Sequence, residues 1–110
     1  MVDKENKLFT VVTCTYNRKK ELKTLYSSLL NQKELNFQWL VIDDCSTDNT
    51  DSIVKKWKND NNIPISYHKM GENGGKYRAL NYALEKIITP LFIIIDSDDY
   101  FVQYPLGLTL

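Results

Sequence analysis

Three carboxylates, Asp96, Asp98 and Asp99, crowd into four positions at the end of an apolar run, residues 91–100, LFIIIDSDDY. Like charges this close repel, and a divalent cation is the partner that relieves them. Hard oxygen ligands suit Mg2+ and Mn2+. In an extended segment residues two apart point the same way, so Asp96 and Asp98 can face one cation together. The competing reading is a solvated acidic turn that caps a helix. A second acidic pair, Asp43 and Asp44, follows FQWLVI. Carboxylates only accept hydrogen bonds, which suits either an N–H or hydroxyl of a ligand, or an Asx-turn serving residues 46–50. The third candidate is the glycine-rich loop, residues 70–77, MGENGGKY. Its glycines permit positive φ and close backbone approach, and Lys76 brings a cation within reach of a phosphate.

The elements that carry these groups alternate along the chain. Residues 8–14, LFTVVTC, are β-branched and read as a first strand. Leu22, Leu25, Tyr26, Leu29 and Leu30 then make one apolar helical stripe, with Asn17 a better cap type than Arg18. Residues 37–42 read as a second strand, and a shorter helix from about Asp51 carries Ile53, Val54 and Trp57 on one face. Residues 63–68, IPISYH, form a third strand, and Pro64 argues for an edge position or a strand start. The stripe Leu80, Ala83, Leu84, Ile87 and Ile88 predicts a third helix, ended by Thr89-Pro90. The opening run supplies a fourth strand, expected to be buried on both faces because it is apolar throughout.

The order β-α-β-α-β-α-β predicts an α/β fold, a Rossmann-like three-layer α/β/α arrangement with a mostly parallel sheet and right-handed crossovers. Such a sheet gathers all strand C-termini on one edge, where ligands bind. Every polar or glycine-rich segment singled out above lies at such an end. The chemistry is therefore expected on a single rim.

Bulk properties exclude more than they select. Fourteen basic and fourteen acidic residues cancel, so no charge excess points to nucleic acid. The start, MVDKENK, lacks an apolar signal-peptide core, and no apolar run is long enough to span a bilayer. Cys14 and Cys45 have no metal-type spacing, and reduced thiols in a cytoplasmic protein are the expected state. No G-x-G-x-x-G follows the first strand, where the sequence is TCTYNR, and no G-x-x-x-x-G-K-[ST] occurs anywhere. A dinucleotide-binding domain and a P-loop are thereby excluded. What survives is a metal-held diphosphate.

Four segments in register, VVTCTYNR, WLVIDDCSTDNT, ENGGKYRALNYAL and FIIIDSDD, resemble the N-terminal half of a family 2 glycosyltransferase of GT-A fold. The resemblance covers about residues 8–100 of a single domain over 1–110. It implies metal-dependent, inverting transfer of a sugar from a nucleotide-diphospho-sugar, most simply a UDP-sugar, to a carbohydrate or lipid-linked acceptor. Asp96-Ser97-Asp98 is similar to the family's D-x-D motif, with Asp99 a further acid; Asp96, Asp98 and Asp99 would hold the metal, and Asp96 and Ser97 would lie against the nucleotide. Asp43 and Asp44 resemble the paired acids that contact the nucleoside. Strand alternation lets only one of them face the ligand, and the family pattern favours Asp44. Thr13, Cys14, Thr15 and Tyr16 match the loop that embraces the base, although many relatives carry proline where Cys14 stands. Tyr16 either stacks on a pyrimidine or belongs to the core. Gly75 and Lys76 match the N-G-G-K segment, whose bland alternative is a plain turn with a solvated lysine. Asn17, Arg18 and His68 read as structural, as do Trp39 and Trp57.

The family's catalytic base lies well downstream of D-x-D, and residues 102–110, VQYPLGLTL, do not resemble the family's continuation. The chain is therefore expected to be a donor-binding fragment, inactive alone, prone to self-association, and part of a longer protein with peripheral membrane association. Two other readings stay open. A sugar-activating nucleotidyltransferase shares the fold but needs glycines after strand one. A binding or assembly module would hold nucleotide-sugar without transferring it.

Overall fold

The computed structural model describes residues 7–32 and 36–96. The elements run β1 (Phe9–Thr15), α1 (Lys19–Leu30), β2 (Phe37–Asp43), α2 (Thr50–Asp60), β3 (Ile65–Lys69), α3 (Lys76–Leu84) and β4 (Leu91–Ile94). All strand pairs are parallel and the sheet order is β3-β2-β1-β4. The predicted alternation and parallel sheet are what the structure has.

Strand order explains the layering. The chain steps from β1 outward to β2 and β3, so α1 and α2 share one face. It then returns across β2 and β1 to β4, which sends α3 to the other face, as right-handed crossovers require. On the first face Phe9, Val11, Trp39 and Val41 meet Leu22, Leu25, Leu29, Val54 and Trp57. Tyr26 and Trp57 stack there with ring centroids 4.2 Å apart, and Trp39 lies 6.0 Å from each. Large rings bury much apolar area and stack with further gain, so this side holds most of the hydrophobic stabilisation. Its counterpart is thin: Val12, Leu40 and Ile42 meet only Ala79 and Ala83 as fully buried partners from α3.

Three expectations need correction. β4 is not buried on both faces: Leu91, Phe92 and Ile94 are 45%, 46% and 44% exposed. Among the described residues β4 is an edge strand, paired only with β1, and α3 packs over β1 and β2 instead. The stripe on α3 is also rotated. Ala79 and Ala83 face the sheet, Leu84 ends the helix half-exposed, and Ile88 lies beyond it at 80% exposure. Small residues let the helix approach closely, which turns Leu84 outward. Finally, Asn17 does not cap α1. It adopts φ 51°, and Arg18 takes the cap position without a side-chain hydrogen bond.

β3 occupies the other edge, as Pro64 suggested. The Pro64 carbonyl still accepts the Trp39 N–H at 2.8 Å, so the ladder begins one residue before the strand. Among the described residues no helix is long and apolar enough to cross a membrane.

Candidate functional site

Between β1 and β4 the chain changes direction across the sheet. That switch point opens a crevice at the strand C-termini, the place where parallel α/β sheets bind ligands. A cavity of about 260 Å³ lies there, lined by Cys14, Thr15, Tyr16, Arg18, Asp44, Lys76, Ala79 and Asp96. Contributions come from the ends of β1, β2 and β4 and from the first turns of α3. Separate stretches of sequence thus meet on one rim.

The end of β1 supplies three walls and one bystander. Thr13 is buried on the α1/α2 face, where its Oγ1 accepts the indole N–H of Trp39 at 2.9 Å; its side chain is core and does not line the cavity. Cys14 lines it. Burial pushes the Cys14 thiol up to about 11; Lys76 opposes that rise, and Asp96 and Asp44 add to it. Thr15 is buried, and its Oγ1 has no hydrogen-bond partner among the described residues. Tyr16 is 43% exposed at the rim, which removes the core alternative for its ring.

Asp43 and Asp44 diverge. Asp43 is fully buried on the α1/α2 side, where its carboxylate accepts the Ser46 N–H at 2.8 Å and the Tyr67 hydroxyl proton at 2.5 Å. Burial, and then this bond to an anion, raise the Tyr67 hydroxyl far above its ordinary range. Asp43 is thus placed as the Asx-turn acid and not at the cavity. Asp44 lines the cavity while Oδ1 accepts from Gly74 N–H and Oδ2 from Gly75 N–H, both at 2.9 Å. Each oxygen keeps a second lone pair for a ligand. The Asp44 N–H itself donates to the Thr15 carbonyl at 2.8 Å, which locks the two strand ends together.

Gly75 has φ 92°, a conformation that demands glycine, and it hands the chain into α3. It touches the site through its N–H on Asp44. One residue on, Lys76 reaches across the cavity to Asp96, Nζ to Oδ2 2.8 Å. Both side chains are more than a third exposed, so this pair contributes little to stability. It shows instead that the Asp96 carboxylate faces the cavity and accepts a cation there. That fits a hard divalent ion, although among the described residues no group of three or more ligating side chains assembles. Ser97, Asp98 and Asp99 lie outside the described residues.

Sequence reasoning missed two lining residues, Arg18 and Ala79. Arg18 read as a helix-start residue because nothing local signals that the turn before it swings the side chain into a cavity. Ala79 is one turn into α3 and has no chemistry to flag. His68 stays structural. It meets the Tyr82 ring edge-on with centroids 5.6 Å apart, and burial, then Lys86 and Lys58, hold its pKa below the ordinary value.

Known proteins share this fold. The family model described as glycosyl transferase family 2 matches residues 10–106. Poly(ribitol-phosphate) beta-N-acetylglucosaminyltransferase TarS of Staphylococcus aureus is 37% identical over 94 residues, covering 84% of this chain and 16% of that protein. The putative teichuronic acid biosynthesis glycosyltransferase TuaG of Bacillus subtilis is 34% identical over 84% of this chain and 36% of its own length. The structure of S. aureus TarS 1–349 in complex with UDP-GlcNAc superposes with TM-score 0.82 at 35% identity, over 91% of this chain and 29% of that one. Mannosyltransferase PcManGT from Pyrobaculum calidifontis, in complex with GDP-Man and Mn2+, gives TM-score 0.83 at 25% identity, over 97% and 32%. This chain therefore spans between about a sixth and a third of these relatives. Its parallel sheet is that of the GT-A glycosyltransferases, and the chain belongs to glycosyl transferase family 2.

Proposed function

We propose that this chain binds the donor of a metal-dependent, inverting glycosyltransferase, a UDP-sugar whose sugar passes to a carbohydrate or lipid-linked hydroxyl. The observation that carries the reading is the cavity at the switch point, with Asp44 on one wall and the Lys76–Asp96 pair across it. Asp44 offers acceptors to a base N–H or ribose hydroxyl. Cys14, Thr15 and Tyr16 line the cavity beside it, and Tyr16 presents an exposed ring for stacking. Lys76 stands at the N-terminus of α3, and a helix N-terminus favours a phosphate. Asp96, with Asp98 and Asp99, would hold Mg2+ or Mn2+, whose charge neutralises the diphosphate as it leaves. UDP-GlcNAc in the TarS structure and GDP-Man with Mn2+ in PcManGT support the ligand class. The site is taken to face the cytoplasm, with the longer protein associated peripherally with a membrane.

A second reading keeps the nucleotide-sugar and drops the transfer. It is favoured by the contacts of the polar groups around the cavity. Asp44 already holds the Gly74 and Gly75 N–H groups, Asp96 pairs with Lys76, and burial raises the Cys14 thiol. None of these is set up as a base for an acceptor hydroxyl.

Calorimetric titration with UDP separates the possibilities. Wild type should bind in Mn2+ and lose about tenfold or more with EDTA, and Asp44→Ala should lose about ten- to a hundredfold. Equal heats with Mn2+ and with EDTA would remove the metal, and no UDP heat at all would remove the nucleotide. Sugar transfer by these 110 residues would overturn the second reading.

A further inference from the structure

Asn17 does none of the work its position in the chain suggests, and the bonds it makes point to another role. The N–H of Asn17 donates to Ser46 Oγ at 2.8 Å. Its side-chain oxygen accepts the Thr47 N–H at 2.7 Å and the Thr47 hydroxyl at 3.4 Å. These partners lie on the loop after β2, about thirty residues away. Its φ of 51° is in the left-handed region, which asparagine tolerates better than most residues. Its neighbours on both sides, Tyr16 and Arg18, line the cavity, whereas Asn17 itself does not. On the far loop, Ser46 is anchored in turn by Asp43, which accepts the Ser46 N–H at 2.8 Å, one residue before the cavity acid Asp44.

We propose that Asn17 is a positioning residue: its carboxamide splints the loop after β1 to the loop after β2, and so holds the Tyr16–Arg18 wall at a fixed distance from Asp44. The inference rests on the nucleotide reading of the cavity. It adds that affinity depends on a residue that touches no ligand. Side-chain hydrogen bonds from asparagine to distant backbone N–H groups satisfy donors that would otherwise face water as the loops part. Without the carboxamide, the wall that carries two lining residues is tied to the loop after β2 only by its backbone, through the Thr15 carbonyl, the Asn17 N–H and the Lys19 N–H.

Four variants test this with two readouts, UDP affinity and the rate at which iodoacetamide labels Cys14, followed by mass spectrometry at one fixed pH. Asn17→Ala should weaken UDP about five- to tenfold and speed Cys14 labelling by a similar factor, with the thermal midpoint nearly unchanged. Asn17→Gly relieves the left-handed backbone but lacks the carboxamide, so it should behave like Asn17→Ala. Asn17→Asp keeps the acceptor and should label at the wild-type rate. Ser46→Ala removes the opposite half of the splint without altering Asn17, and should shift both readouts the same way. Wild-type values in Asn17→Ala, or full recovery in Asn17→Gly, would overturn the proposal. A wild-type chain that takes up no UDP would overturn the nucleotide reading alone, because Cys14 labelling still decides the role of Asn17.

Discussion

Asp43 and Asp44 are the same residue type side by side, yet the backbone sends one to Ser46 and Tyr67 and the other to the glycine loop and the cavity. Period-two alternation at a strand end forces such a divergence, and it is why the sequence could limit the cavity-facing acid to one of the pair. It could not foresee that Thr13 serves as acceptor to Trp39, because that contact depends on the register between β1 and β2. Cys14 is the residue whose chemistry the cavity changes most. With its pKa up at about 11, only on the order of one thiol in ten thousand is ionised at pH 7. Alkylation of Cys14 by iodoacetamide should therefore be slow at pH 8 and should rise roughly tenfold per pH unit up to about pH 10. A rate that levels off by pH 9 would contradict the burial argument. Nucleophilic catalysis by Cys14 at neutral pH is disfavoured on the same ground.

At the level of elements, α1 shows what local reading can and cannot find. Its apolar stripe was legible because Leu22, Leu25, Tyr26 and Leu29 repeat at helical spacing, and all four are buried. Its cap was not, because the acceptor is Asp48, from the loop before α2, which takes the Lys19 N–H at 3.1 Å. The same carboxylate accepts the Thr50 hydroxyl proton and so fastens both helix starts. Burial alone would raise the Asp48 pKa, but the bonds from Thr50 and the Lys19 N–H outweigh it and the net shift is downward. A lowered native pKa means the unfolded chain binds the proton more readily. The stabilisation is then complete above the unfolded carboxylate pKa near 3.9 and is lost as pH falls through the native value. Asp48→Ala should cost about 1 kcal/mol at pH 7, the usual worth of a helix cap. In urea melts, the gap between wild type and variant should close as the pH is lowered toward 3. A gap that stays constant with pH would mean the charge of Asp48 does not matter. The burial expected of β4, Leu84 and Ile88 fails for a related reason: apolarity reveals that a residue can be buried, not which neighbour is there to bury it.

Across the whole molecule, the sheet is covered unequally, and the thinly covered side carries half of the site. Tyr26 of α1 and Trp57 of α2 stack over Trp39 of β2, while α3 fully buries only Ala79 and Ala83. Local opening costs least where few apolar contacts must be broken, so α3 should be the first helix to detach. That helix also holds Lys76, and the loop before it hangs on Asp44 through two N–H bonds. A ligand that bridges Asp44, Lys76 and Asp96 would therefore tie down the least stable element, and its binding free energy would appear there as protection. Native-state hydrogen exchange measures this directly. Amides in residues 79–84 should exchange faster than those in 22–29 without ligand. Saturating UDP with Mn2+ should slow α3 markedly and leave α2 almost unchanged, since α2 lies on the opposite face from α3 and contributes nothing to the cavity lining. Equal protection of α1 and α3 in the free protein would show that two alanines pack the second face well enough. Slowing spread evenly over all helices would mean that the ligand stabilises only the global fold and does not fasten α3 to the strand ends.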